Sequence, residues 1–202
     1  LFVKSSGCHL STININKNYV GVKYKSINTN LKEITSQDKK TREIQSKQLV
    51  DKNIIFLKKY RPSIETTLHS LTDIYTMHIH PIQFNYISSL NNCDTILKNL
   101  FTDYCLIEYQ TPGIDVSLKL IEKYKKEPVI FLKNHGLVIT AKNIEKLKTI
   151  LDNIIEKLEN YLNLSYFKYH FVNIISENLK MILDERKISY LSENELINKY
   201  IN

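Results

Sequence analysis

The sequence is poor in several features, and each shortage excludes a class of protein. No apolar run approaches the roughly 20 residues that a membrane-spanning helix needs, so we expect no membrane partner. The first residues, LFVKSSG, lack the basic-then-apolar order of a secretion signal. The cysteines contain no CxxC pair, which argues against a disulfide framework and a thiolate zinc site: Cys8, Cys93 and Cys105. We therefore predict a protein of a reducing compartment, the cytoplasm.

Alanine is also scarce, with Ala141 as the single example, whereas lysine, asparagine, isoleucine and tyrosine are abundant. The formal net charge of +7 would suit an acidic partner, such as a phosphorylated substrate or nucleic acid. No basic stripe with interleaved aromatic residues accompanies this charge. We therefore predict no nucleic-acid partner and attribute the charge to compositional drift.

The length of 202 residues, with 43% hydrophobic and 24% charged residues, is typical of one globular domain. No repeat or linker divides the chain, so we predict a single domain over residues 1–202, with a mainly helical part at 166–202. The sequence begins at Leu1 rather than at methionine. We expect that a natural N-terminal segment precedes it.

Hydrophobic periodicity predicts strands alternating with helices. Strands are predicted at residues 1–4, 20–24, 74–80, 104–109, 128–133 and 137–140. Helices are predicted at residues 62–72, 82–90 and 115–125, and from 144 onward. Residues 27–48 are polar and poorly periodic, which indicates a surface loop. The tight turn at residues 134–136 implies antiparallel pairing, so the prediction is a mixed α/β fold with a sheet covered by helices.

Three histidines fall where they could share a ligand. His78 and His80 are two residues apart on a predicted strand, so both imidazoles project from one face. His135 sits in the turn Asn-His-Gly, where Gly136 could supply an unusual backbone angle. Three imidazoles favour zinc or another divalent metal and leave a coordination position open, as in a catalytic site. Two histidines on a strand without a metal role are the alternative.

Glu65 lies near the start of the predicted helix before the His78 strand. It could be a plain first-turn acid favoured by the helix dipole, or a general acid/base beside the metal. Ser63 is a plausible N-cap of that helix. His69 lies one turn after Glu65, and we expect it to have a structural role rather than to bind metal.

Five motifs in order resemble the class II aldolase/adducin family over residues 1–162. They are KSSG (4–7), RPSIETTLH (61–69), MHIHP (77–81), TPG (111–113) and NHGLV (134–138), and the second and third are closest to the rhamnulose-phosphate aldolase-like branch. The resemblance implies an α/β/α sandwich with a mixed, mainly antiparallel central sheet. It also implies a homotetramer with active sites between subunits.

The same resemblance implies that His78, His80 and His135 hold a divalent ion, normally zinc, and that Glu65 is the catalytic acid/base. It implies a carbohydrate substrate, with Ser5, Ser6, Gly7 and Ser63 as phosphate-binding residues. Free N–H groups in the Ser-Ser-Gly turn could form an anion nest. Ile64 replaces a serine of the family pattern, and the Gly-Asn-x-Ser segment expected before the turn is absent.

The function implied is a lyase that makes or breaks a C–C bond of a sugar or sugar phosphate through a metal-stabilised enediolate. Two alternatives stay open. One is a sugar-phosphate epimerase or dehydratase of the same family, because fold does not decide chemistry. The other is a non-catalytic adducin-like interaction domain, which predicts lost metal ligands.

Overall fold

The computed structural model describes residues 1–163, and its strands form two sheets. The first sheet has the order β1-β2-β3 and is antiparallel: β1 (Phe2–Lys4), β2 (Tyr19–Val22) and β3 (Ile54–Phe56). The second has the order β4-β7-β6-β5: β4 (Tyr75–Ile79), β5 (Cys105–Ile107), β6 (Val129–Leu132) and β7 (Gly136–Ala141). Only its β5–β6 pairing is parallel. The predicted mixed α/β class is therefore confirmed.

Helices occupy the stretches between these strands, together with a short 3-10 helix, Leu10–Thr12. They are α1 (Tyr24–Leu31), α2 (Lys39–Lys52), α3 (Thr66–His69), α4 (Ile82–Ser88), α5 (Cys93–Leu100), α6 (Ile114–Lys123) and α7 (Ile144–Leu162). Residues 1–158 form one compact unit, and a second unit begins at Glu159. No helix within residues 1–163 is long and apolar enough to cross a membrane.

Both faces of the four-stranded sheet are covered by helices. On one face Ile130 and Leu132 pack with Leu68 of α3 and Leu120 of α6 in one buried cluster. Strand side chains alternate, so Phe131 points to the other face. There its ring packs against Phe84, of α4, and Phe101, just after α5: the ring centroids are 4.9 and 5.2 Å away. This layering is the predicted helix–sheet–helix arrangement.

The predicted surface loop at residues 27–48 is wrong, because most of it is helical in α1 and α2. Helix α2, with the sequence KKTREIQSKQLVDK, buries only Ser46 and Val50, so it lacks the wide apolar stripe that a periodicity search detects. An N-cap residue does mark the start of α2. The side chain of Asp38 accepts a hydrogen bond from the N–H of Thr41 (2.7 Å).

The helix predicted at residues 62–72 is much shorter. Helix α3 begins at Thr66, and Glu65 occupies the cap position instead of Ser63. The hydroxyl of Ser63 accepts a hydrogen bond from the N–H of Glu65 (3.3 Å), inside the turn that precedes the helix. Pro62 forms an antiparallel bridge with Ser5, which holds this segment extended beside the first sheet.

Other predicted bounds shift at their ends. Strand β2 stops at Val22 and Tyr24 begins α1, while β5 is shorter than predicted. Strand β4 is only partly buried because it forms one edge of its sheet. Strand β3 and helix α5 were not predicted from the sequence. The predicted helical part at residues 166–202 lies outside the described residues, and the single-domain prediction over the whole chain stays a prediction.

Candidate metal centre

Three histidine side chains converge at one end of the four-stranded sheet. His78 lies on β4, His80 follows that strand directly, and His135 precedes β7. Strand β4 pairs with β7 so that His78 is opposite Val138 and Ile79 is opposite Leu137. One ligand nitrogen from each histidine lies within 4.8 Å of the other two. The structure thus brings together the three residues that the sequence singled out.

The tautomer of His78 is fixed by the neighbouring strand. Its Nδ1 lies 3.1 Å from the carbonyl oxygen of Leu137, and only a protonated Nδ1 can donate to that acceptor. The neutral ring therefore carries a lone pair on Nε2, which faces the other histidines. A backbone carbonyl that orients a histidine in this way is typical of metal ligands.

In the turn between β6 and β7, Gly136 has a different role from the predicted one. Asn134, not Gly136, has a positive φ, at 54°. Gly136 is needed for space: a Cβ there would collide with Cδ2 of His80 and lie 2.6 Å from the carbonyl oxygen of Ile79. The expectation of an unusual backbone angle at Gly136 is wrong. The missing side chain lets the His80 ring lie against the start of β7.

The carboxylate of Glu65 lies against two of the three histidines. Its Oε1 lies 3.3 Å from Nε2 of His135 and 3.4 Å from Nε2 of His78. The side chain is mostly buried, at 17% exposure. Burial raises the pKa of this carboxyl, but the adjacent imidazoles of His135 and His78 outweigh burial and hold the pKa well below its ordinary value. The carboxylate is therefore ionised at neutral pH.

The three imidazoles and the carboxylate are close enough together to surround a divalent cation. Nε2 of His78 lies 3.0 Å from Nε2 of His80, close to the roughly 3.3 Å that separates two nitrogen ligands of one tetrahedral zinc ion. As a lone-pair acceptor, that nitrogen cannot also donate to Glu65. A cation held among the nitrogens would accept their lone pairs and lie beside the carboxylate. His78, His80 and His135 are the residues that would hold it.

Burial lowers the pKa of two imidazoles in this region, those of His80 and His69. For His80 burial is the main cause, and the nearby imidazoles of His78 and His135 add to the effect. Burial also lowers the pKa of His69 to about 4, and the nearby imidazole of His78 adds to the effect. His69 follows Glu65 by one turn, and the backbone N–H of His69 donates to the backbone carbonyl oxygen of Glu65 (3.1 Å). It lies outside the histidine cluster, as the sequence led us to expect.

The Ser-Ser-Gly turn departs from the predicted anion nest. The N–H of Ser5 donates to the carbonyl oxygen of Asn18 (3.0 Å), and the N–H of Ser6 donates to that of Arg61 (2.8 Å). The prediction of free N–H groups at these two residues is therefore wrong. Ser5 is also buried, and its hydroxyl donates to Sγ of Cys8 (3.2 Å).

The turn still presents polar groups on its outer side. The guanidinium of Arg61 donates to the hydroxyl of Ser6 (3.0 Å), so the two motifs KSSG and RPSIE meet. Gly7 has a φ of 76°, and its surroundings are open. The phosphate-binding roles of Ser5, Ser6, Gly7 and Ser63 stay predictions, with Arg61 as the charged group beside them.

Comparisons with known proteins agree with this geometry. The model of the Class II Aldolase and Adducin N-terminal domain matches residues 2–162. No curated protein matches the sequence. The N-terminal class II aldolase domain of a conserved protein from Thermoplasma acidophilum is similar over 79% of this chain and 73% of that chain, with 22% identity and a TM-score of 0.66.

A second solved structure, an L-fuculose 1-phosphate aldolase, is similar over 98% of this chain and 78% of that chain, with 15% identity and a TM-score of 0.50. At these identities the two structures support the fold alone. The family model covers most of the chain, from the start of β1 to the end of α7. The chain therefore belongs to the class II aldolase and adducin family.

Proposed function

We propose that this protein is a divalent-metal-dependent lyase that cleaves or forms a C–C bond in a sugar or sugar phosphate. The observation that carries the proposal is the convergence of three imidazoles and one carboxylate at a single point. Membership of the family supports the same chemistry. We further propose zinc as the metal, a homotetramer as the assembly and the cytoplasm as the compartment.

Each residue has a defined task in this proposal. His78, His80 and His135 hold the ion and leave a coordination position open for the substrate. When bound, the cation acts as a Lewis acid that polarises the substrate carbonyl and stabilises the developing negative charge. Glu65 is ionised and partly exposed, so it is able to accept a proton from a substrate hydroxyl and to return it later.

A non-catalytic, adducin-like role is disfavoured because such a role would release the ligands from selection. Here the three histidines are present, Nδ1 of His78 is held by a carbonyl, and Gly136 leaves room for His80. An epimerase or dehydratase would use the same metal site, so substrate screening separates those reactions from a lyase.

The test measures metal content and turnover separately. We expect about one zinc or similar ion per chain in the wild type by mass spectrometry, and loss of the ion in His78→Ala. Glu65→Gln is expected to retain the metal and to lower turnover of a hydroxyketone or its phosphate about 100- to 10,000-fold. Glu122→Gln is the matched control, because that carboxylate is 61% exposed and pairs only with Lys119 among the described residues.

Two results would contradict the proposal. A wild-type protein that neither contains nor takes up a divalent metal would exclude the metal centre and favour an interaction domain. Undiminished turnover in Glu65→Gln, with metal content unchanged, would show that this carboxylate is not the acid/base.

A further inference from the structure

The outer side of the three-stranded sheet carries three aromatic side chains in mutual contact. They belong to Phe2 of β1, Tyr19 of β2 and Phe56 of β3, and their ring centroids are 5.7 to 6.4 Å apart. We call these three rings the aromatic face. Val3 and Val20 alternate with them along the strands, point to the other side and are buried. The aromatic face thus unites three segments that are far apart in the sequence.

Gly21 lets the two outer rings close over the middle strand. It pairs with Phe2 on one side and with Phe56 on the other. A Cβ at Gly21 would lie 2.8 Å from Cβ of Phe56 and 3.2 Å from the ring of Phe2, so a larger residue would push the rings apart. The rings therefore lie against the sheet as a preformed surface, which has little conformational entropy to lose when a partner binds.

Much of this surface is accessible to solvent. Phe2 is 70% exposed and Phe56 is 46% exposed. Ile55 adjoins Phe56 and is 53% exposed. Ile15, whose carbonyl oxygen accepts a hydrogen bond from the hydroxyl of Tyr19 (2.7 Å), is 81% exposed. These side chains present roughly 350 Å² of apolar surface, taking about 200 Å² for a fully exposed aromatic side chain and about 100 Å² for an isoleucine.

That area is close to what one partner of a stable interface buries. A standard interface buries about 800 Å² on each partner, and about 60% of this area, or roughly 480 Å², is apolar. The aromatic face and the two isoleucines supply most of this amount. Single exposed apolar residues need no explanation, whereas a patch of several hundred Å² is typical of an interaction site.

The polar groups around the aromatic face favour an uncharged partner. Lys4 lies opposite Tyr19 at the border of the face, and its ammonium donates to the carbonyl oxygens of Ser5 (3.2 Å) and Cys8 (3.0 Å). The hydroxyl of Tyr19 already donates within the chain, so burying this ring leaves no hydroxyl unpaired. The three rings carry no charge, and interface cores are likewise aromatic and depleted of charge. Two identical faces can therefore meet without like-charge repulsion.

We propose that the aromatic face is a contact between two copies of this chain, related by a twofold axis. The rings of one copy pack against the rings of the other, because a twofold interface uses the same patch on both copies. That this contact is one interface of the homotetramer rests on the proposed function. The pairing itself does not, because the histidines lie on the other sheet.

Sedimentation velocity of the full chain, at about 1 to 100 µM and with or without a chelator, measures the assembly. We expect a dimer or a larger species at the upper concentration in both metal states. A wild-type protein that stays monomeric at about 100 µM would overturn the proposal, whatever its zinc content or turnover.

Charge substitutions locate the contact. The double variants Phe2→Lys/Phe56→Lys and Phe2→Glu/Phe56→Glu each place like charges against one another, so each alone is expected to have half the wild-type mass. An equal mixture sets lysine against glutamate and is expected to restore that mass. The matched control is Tyr86→Lys, which places a lysine at an exposed aromatic residue of α4 and is expected to keep the wild-type mass.

A milder variant serves if the double variants fold poorly by circular dichroism. Phe2→Ser, at an exposed position of an edge strand, is expected to weaken self-association at least about tenfold. Folded variants of the aromatic face that keep the wild-type mass and affinity would overturn the proposal, as would an equal loss of assembly in Tyr86→Lys. Metal content and turnover are measured on the same samples. A monomer with zinc and turnover would therefore leave the lyase in place, and a dimer without them would leave the contact in place.

Discussion

Replacing Gly136 by alanine tests whether the shape of the β6–β7 turn positions the metal ligands. The added Cβ would lie 2.6 Å from the carbonyl oxygen of Ile79, whereas ordinary contacts begin at 3.4 Å, so the two must separate by about 0.8 Å (3.4 − 2.6). The same Cβ collides with the ring of His80. The variant therefore displaces one predicted ligand without altering any ligand's chemistry.

We expect two measurable consequences. Overpacking costs about 2 kcal/mol of unfolding free energy, which corresponds to a Tm lower by about 4–8 °C for a chain of this size. Displacement of His80 weakens metal binding by about 10- to 100-fold, the range found when the support of a ligand is lost. Thermal unfolding monitored by circular dichroism gives the first quantity, and zinc competition with a coloured chelator gives the second.

Gly7→Ala is the matched control for Gly136→Ala. Gly7 has a φ of 76° and a Cβ there would meet nothing within 4 Å, so alanine costs about 1 kcal/mol of backbone strain and nothing in steric overlap. We expect it to lower the Tm and to leave zinc affinity unchanged. If Gly136→Ala binds zinc as tightly as the wild type does, the steric argument for this glycine is refuted.

Three further predictions concern the core and its titratable groups. The pKa of His69 is about 4 when folded and about 6.5 when unfolded, so stability is expected to fall as pH decreases from 7 to 4, by up to about 1.4 kcal/mol per pH unit. Denaturant unfolding of His69→Gln should show a smaller loss, and an unchanged slope would contradict this. Phe131→Ala should cost about 3–5 kcal/mol by the same assay, since its ring is fully buried, whereas a loss below 1 kcal/mol would contradict the packing. Thiol labelling of the native protein should modify Cys8 first, because Cys93 and Cys105 are buried and burial raises their pKa, that of Cys105 to about 11; equal rates would contradict the structure.

Local sequence patterns were sufficient to predict some of the strands. Strands β6 and β7 were predictable because an apolar run, a three-residue turn and a second apolar run are adjacent in the chain. His78 and His80 were assigned to one side of the strand predicted at residues 74–80 because strand side chains repeat every two residues. Helix α2 escaped detection because its narrow buried stripe, Ser46 and Val50, gives no apolar period.

Other features of the site depend on contacts between segments that are distant in the sequence. The pairing of β4 with β7 brings His135 to His78, 57 positions away in the sequence (135 − 78), and supplies the carbonyl that orients the His78 ring. The N–H groups of Ser5 and Ser6 donate to the carbonyl oxygens of Asn18 and Arg61, and no local sequence pattern indicates these distant acceptors.

The sequence by itself therefore determined which residue types were present for a metal site and which strands could carry them. Only the tertiary structure decided that the three imidazoles and Glu65 meet, that the missing Cβ of Gly136 leaves room for His80, and that residues of α2 and Ile64 line one cavity. The physical reason is that periodicity sets the direction of a side chain along its own element, whereas strand pairing and helix packing set the distance between elements.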